Sequence, residues 1–197
     1  MTPPLSGTPR VPPPVASERA ARVQLVVFDV DGVLTDGAIY VGMGQDNKPV
    51  ELKRFDILDG LGITLLIAAG IEVALVSGRD SNATRLRAAE LGVAEVHHVD
   101  GARKVPVIEE LLRRRGLEWE HVAFLGDDLP DLPALRRVGL PAAVRDASPE
   151  VQALALWTGT RPGGRGAARE FAEALLRARG VWSAVVEEYC GDRDGDA

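Results

Sequence analysis

The sequence has one cysteine, Cys190, which excludes an internal disulfide framework and suits a reducing compartment, the cytoplasm. Histidine is also scarce: His97 and His98 stand side by side with no second ligand pattern and read as structural or surface residues. Among the few aromatics, Trp119, Trp157 and Trp182 read as packing residues rather than stacking partners for a ligand. No apolar run approaches the roughly 18 residues of a membrane span, and the first residues carry no apolar signal core. There is no excess of positive charge. Twenty-three Lys and Arg against 29 Asp and Glu leave a net charge of −6, which argues against a nucleic-acid partner. A protein of this charge that binds phosphate must do so with a local cluster of cations. No internal repeat is present.

What is present is organised around Val26-Val27-Phe28-Asp29-Val30-Asp31-Gly32-Val33-Leu34-Thr35-Asp36-Gly37. Val23 to Val30 reads as a buried, β-branched strand that ends abruptly in acid and glycine. Side chains alternate along a strand, so Asp29 and Asp31 are expected on one face at its carboxyl end. Two close carboxylates repel each other unless a cation sits between them, and Mg²⁺ suits hard oxygen ligands. Gly32 leaves room for close backbone approach.

Before this strand, residues 1–21 form a proline-rich tail, with six prolines in the first 14 residues, and are expected to be disordered. After it, Ala38–Val41 and Val50–Phe55 flank a glycine-rich turn and read as a β-hairpin. Asp56 to Gly60 then leads into a helix at about Leu61–Ala69. Strands are expected at Ile71–Val76, Glu95–Val99, His121–Leu125, Pro141–Val144 and Ala155–Trp157. Helices are expected after Asp80–Ser81, at Val105–Arg115, at Leu132–Val138 and at Gly166–Arg179. The domain spans 22–180, and 181–197 is a tail expected to fray. The alternation predicts an α/β fold, a Rossmann-like parallel sheet with helices on both faces and the hairpin as an insertion. Acidic and polar clusters recur at three strand ends, where open α/β sheets bind ligands: Asp29 and Asp31, then Ser77-Gly78-Arg79, then Gly126-Asp127-Asp128-Leu129-Pro130-Asp131.

The motif Asp-x-Asp-Gly-x-Leu-Thr-Asp-Gly, with these partners in order, resembles the haloacid dehalogenase superfamily of phosphohydrolases. That resemblance implies Asp29 as a nucleophile forming an aspartyl-phosphate and Asp31 as general acid and base. It implies Ser77 and Lys104 as phosphoryl-binding residues. Asp29, Asp31 and Asp127 become ligands of Mg²⁺, braced by Asp128 and Asp131.

Within the superfamily the chain is similar to the 3-deoxy-D-manno-octulosonate 8-phosphate phosphatase family, which has no separate cap domain. The stretch Gly163-Gly164-Arg165-Gly166-Ala167-Ala168-Arg169-Glu170 carries that similarity furthest. It implies a Mg²⁺-dependent phosphatase of the lipopolysaccharide core route and a homotetramer in which neighbouring subunits cover the site. The substrate-binding set would be Asp31, Asp56, Asp59, Gly60, Gly78, Arg79, Arg87, Lys104 and Arg165. Leu58 and Thr64 stand where the family commonly has arginine, and leucine cannot make arginine's paired contacts with a carboxylate. The competing expectations are a phosphatase of a nine-carbon sugar acid 9-phosphate and a non-catalytic oligomerisation module.

Overall fold

The computed structural model describes residues 13–191. The body is a six-stranded sheet built from β1 (Leu25–Phe28), β4 (Glu72–Ser77), β5 (Glu95–His98), β6 (Val122–Gly126), β7 (Leu140–Ala143) and β8 (Trp157–Thr158). Its order is β5-β4-β1-β6-β7-β8, and every pairing is parallel. Such a sheet is covered on both faces, which is why Leu25-Val26-Val27-Phe28 reads as one unbroken apolar run and is buried throughout. β1 lies at the centre, with β4 on one side and β6 on the other.

Two groups of helices flank the sheet. One comprises α1 (Ser17–Arg22), α2 (Ile57–Ala68), α7 (Ala167–Ala178) and α8 (Trp182–Gly191). The other comprises α4 (Lys104–Arg115), α5 (Leu132–Leu135) and α6 (Pro149–Leu154). Helix α3 (Asn82–Glu90) follows β4, and the Ser81 hydroxyl caps it by accepting from the Thr84 N–H. Phe171 of α7 meets both Phe28 and Trp157 edge-on, at centroid distances of 6.4 and 5.1 Å, and ties that helix to the sheet. A separate antiparallel hairpin, β2 (Tyr40–Met43) and β3 (Pro49–Leu52), projects between β1 and α2.

Several boundaries differ from expectation, each for a local reason. β1 stops at Phe28, so Asp29 and Asp31 lie in the following loop and strand alternation does not set their directions. α2 begins at Ile57 rather than Leu61, because Asp56 caps it by accepting from the Leu58 N–H at 2.8 Å. The terminal tails are also shorter than expected. Residues 1–12 and 192–197 lie outside the described residues, but 13–22 and 182–191 are packed. Val15 and Ala20 are buried, the Trp157 indole donates to the Pro13 carbonyl at 2.7 Å, and Arg179 donates to the Ala20 and Val23 carbonyls. At the other end, Trp182 packs beside the guanidinium groups of Arg169 and Arg177 while Val185 is buried. Helix α6 was not expected. Among the described residues, no helix is long and apolar enough to cross a membrane.

Candidate active site

The carboxyl ends of β1, β4 and β6 converge on a cleft of about 260 Å³. Asp29 continues the β1 pattern by one bond, its N–H donating to Leu125 O at 3.1 Å. The chain then turns tightly, with the Leu34 and Thr35 N–H groups both donating to Val30 O at 3.0 Å. Gly32 has φ +95°, and a Cβ there would lie 2.1 Å from Asp127 Oδ2. Glycine is therefore needed twice, for the turn and for the acid packed on it.

Lys104, the first residue of α4, is buried and joins two of these loops. Its Nζ lies 2.6 Å from Asp29 Oδ1 and 2.5 Å from Asp131 Oδ1. The other Asp131 oxygen accepts from the N–H groups of Asp127 and Asp128 at 3.0 and 3.5 Å. Asp128 in turn accepts from the Leu129 N–H at 2.8 Å. Asp128 and Asp131 thus shape the loop that carries Asp127.

Asp29, Asp127 and Asp131 offer oxygens within 4.8 Å of one another. Burial pushes the Asp29 carboxyl up to about 6 despite Lys104. Burial and then the charge of Asp29 push Asp127 to about 9. Burial pulls Lys104 down, but Asp29 and Asp131 outweigh it and the net shift is upward. Asp127 Oδ1 is buried without a hydrogen-bond partner. An orphaned oxygen beside a second carboxylate fits a divalent cation, which would remove both strains at once. Both Asp131 oxygens are already engaged, by Lys104 and by backbone N–H groups, so Asp127 together with Asp29 is the pair placed to hold it.

The cleft also gathers Asp31, Ser77, Gly78 and Arg79. Ser77 ends β4, and its hydroxyl accepts from the Arg79 N–H at 3.1 Å and contacts Asp31 Oδ2 at 3.4 Å. The Asp31 carboxylate was expected among the metal ligands. It is turned instead to Lys53, whose Nζ lies 2.8 Å from Oδ1 and donates to Oδ2 at 2.9 Å.

Five expected substrate-binding residues fall outside this cleft. Asp56 caps α2, and its carbonyl accepts from Arg87 Nη2 at 3.2 Å. Arg87 also pairs with Glu90 at 2.9 Å. Gly60 lies within α2, where a Cβ would come 2.2 Å from Arg87 Nη2. Asp59 is buried and accepts from the Gly166 and Arg169 N–H groups, both at 3.1 Å, at the start of α7. Burial pushes its carboxyl up to about 6 against those two donors. Arg165 is exposed, 3.7 Å from Asp36. Of the two replaced arginines, Leu58 is exposed, and the Thr64 hydroxyl is turned back to the Gly60 carbonyl.

The glycine-arginine stretch has a clear structural part. A Cβ on Gly163 would sit 1.7 Å from Gly32 O, and one on Gly164 2.4 Å from the Thr35 carbonyl carbon. This segment packs backbone to backbone on the loop that follows β1. Arg54 clamps it by donating to Gly164 O at 2.8 Å.

Sequence reasoning missed Glu51, Lys53 and Arg54. Their only signal was three charges within the expected strand Val50–Phe55, which a solvated face would show equally well.

Residues 50–139 match the family model of haloacid dehalogenase-like hydrolases. The chain is 40% identical to the 3-deoxy-D-manno-octulosonate 8-phosphate phosphatase of Salmonella typhimurium, over 85% of this chain and 86% of that protein. It is also similar to the solved structure of the Moraxella catarrhalis 3-deoxy-D-manno-octulosonate 8-phosphate phosphatase in complex with a magnesium ion, a phosphate ion and the sugar acid. That likeness has a TM-score of 0.81 and 34% identity, covering 88% of this chain and 97% of the other. The Yersinia pestis phosphatase of the same name superposes with a TM-score of 0.79 at 39% identity, covering 85% and 88%.

Proposed function

The chain belongs to the 3-deoxy-D-manno-octulosonate 8-phosphate phosphatase family of haloacid dehalogenase-like hydrolases, and from that premise we propose that it hydrolyses this sugar-acid phosphate with Mg²⁺. The observation that carries the reading is the ammonium of Lys104 locked between Asp29 and Asp131, with the unpartnered Asp127 oxygen facing the same cleft.

Asp29 attacks phosphorus, and the bond from phosphorus to the sugar oxygen breaks. Asp31 gives its proton to that departing oxygen and then takes one from the water that attacks the aspartyl-phosphate. The second attack breaks the bond to Asp29 and frees phosphate. Lys104 keeps Asp29 in place and offsets charge on the phosphoryl oxygens, and the Ser77 hydroxyl binds one of them. Bound by Asp29 and Asp127, Mg²⁺ supplies positive charge and orientation for the phosphoryl group. The reaction belongs to the route to the lipopolysaccharide core. Its place in the cytoplasm is part of the proposal, supported by a chain with a single cysteine.

The proposal extends to a homotetramer built through the hairpin. Tyr40, Val41, Met43 and Leu52 are all more than half exposed there, a concentration of apolar surface that association would cover. A sedimentation measurement checks this: the mass of a monomer would end it.

The reaction itself is tested by phosphate release from sugar phosphates with Mg²⁺ and with a chelator, including the octulosonate 8-phosphate and a nine-carbon acid 9-phosphate. Mg²⁺-dependent preference for the octulosonate is the expected result. Preference for the longer acid would make Leu58 and Thr64 marks of a changed specificity. No release from any substrate would favour a non-catalytic module.

A further inference from the structure

The hairpin does more than project. Glu51 of its returning strand, and Lys53 just beyond that strand, pair with two residues that line the cleft, Arg79 and Asp31. Glu51 Oε2 accepts from Arg79 Nη2 at 2.8 Å, and Lys53 reaches the Asp31 carboxylate. Lys53 Nζ also lies 3.7 Å from Glu51 Oε1, so Arg79, Glu51, Lys53 and Asp31 form one chain of alternating charge. The Lys53 side chain has 0% exposure. A buried ammonium is costly unless it is paired, and Asp31 is its nearest partner.

With Lys53 touching both oxygens and Ser77 near one of them, the carboxylate is fixed in rotation as well as in place. Freed from Lys53, it could turn toward water or toward the acid pair that holds the cation.

We propose that Lys53 is a positioning residue for Asp31, set into the site by the hairpin so that the acid–base carboxylate meets the departing sugar oxygen. This rests on the phosphatase reading above. The proton balance is unchanged: Asp31 donates to the leaving oxygen and recovers a proton from water. Lys53 gives up no proton and makes no bond to substrate.

The test uses the dependence on leaving group. A sugar alkoxide is strongly basic and needs a proton as it departs, whereas p-nitrophenolate is weakly basic and does not. The quantity measured is kcat/KM, which reports the first phosphoryl transfer. For Lys53→Met we expect about a 100-fold loss on the octulosonate 8-phosphate, within the usual range for general acid catalysis, and less than about threefold on p-nitrophenyl phosphate. Lys53→Arg should recover part of the sugar-phosphate rate. Should the methionine variant fail to fold, Lys53→Gln keeps the same comparison with a neutral, polar side chain.

Equal losses on both substrates would overturn the proposal, because a merely structural lysine has no reason to sense the leaving group. An unchanged sugar-phosphate rate would overturn it too. Failure of the phosphatase reading would show elsewhere: the wild-type protein would release no phosphate, and both conclusions would fall together.

Discussion

Two lysines with almost no exposed side-chain surface serve three aspartates in this cleft, and they are built differently. Lys104 opens α4 in the body of the fold and lies between Asp29 and Asp131, whose side chains are 11% and 2% exposed. Lys53 comes from the hairpin and meets Asp31, which is 20% exposed. Lys104 has two anionic partners close by in a dry setting, while Lys53 has one close partner, Asp31, and a more distant one, Glu51 at 3.7 Å, both partly open to water. The same ion-pair chemistry therefore carries different loads. One lysine ties Asp29 to Asp131 in the body of the fold, and the other is proposed to orient a carboxylate.

Removing each lysine tests that contrast. Lys104→Met leaves two buried carboxylates unpaired and should destabilise the protein by about 3–5 kcal/mol. It should also lower kcat by about 10²–10³, the usual effect of losing a preorganised electrostatic group. Lys53→Met should cost only about 1–2 kcal/mol, because Asp31 can turn to water in place of a charged hydrogen bond. Urea unfolding of both variants makes the comparison. Equal losses of stability would break it and make Lys53 as structural as Lys104.

The contrast sharpens with metal and pH. Without a cation, the folded protein holds the Asp29 carboxyl at about 6 and Asp127 at about 9, both above the 3.8 of a free carboxyl. Above about pH 4 the unfolded chain releases these protons while the folded chain keeps them. Metal-free stability should therefore fall as pH rises from 4 through 6 and on toward 9. Mg²⁺ replaces the protons, so its stabilising effect should grow over the same window, reaching about 2.7 kcal/mol when free metal is at 100 times its Kd. Melting temperatures with Mg²⁺ and with chelator, at pH 5.5 and pH 8, decide it. An equal shift at the two pH values would show that the acids are already ionised in the folded protein.

The body-borne half of the site was legible in the sequence because its residues stand at the ends of buried strands. Asp29, Ser77 and Asp127 follow or close β1, β4 and β6, and apolar runs ending in acid, serine or glycine announce such places. Asp31 was found for the same reason, but its partner was not. Lys53 reaches it across the hairpin, 22 residues along the chain, and no local period encodes that contact. The packed stretch before β1 was hidden by its prolines: the contacts of Pro13 and Val15 are made with a fold their composition does not describe. Asp56 was read as part of a lead-in loop, although an Asp three residues before Asp59 and a helical pattern is a recognisable cap.

Asp59 gives the smallest expected effect and the cleanest separation of structure from chemistry. It matches a family motif and was expected to bind substrate, yet its carboxylate lies on the N-terminus of α7 rather than in the cleft. Gly166, at the cap position of α7, has no side chain of its own to accept those N–H groups, so α2 supplies the acceptor across the interface. Asp59→Ala leaves the buried Gly166 N–H and the partly buried Arg169 N–H without this partner and should destabilise by about 1–2 kcal/mol, the scale of a lost helix cap. Unfolding should be measured at pH 7.5, above the folded value of about 6, so that the carboxylate is ionised in both states. With stability reduced by that amount, kcat/KM for the sugar phosphate should stay within about threefold of wild type, because a small loss of global stability leaves the native population almost intact. A fall of tenfold or more would return Asp59 to the substrate. It would mean that the glycine-arginine segment it anchors must hold its position for the sugar acid to bind.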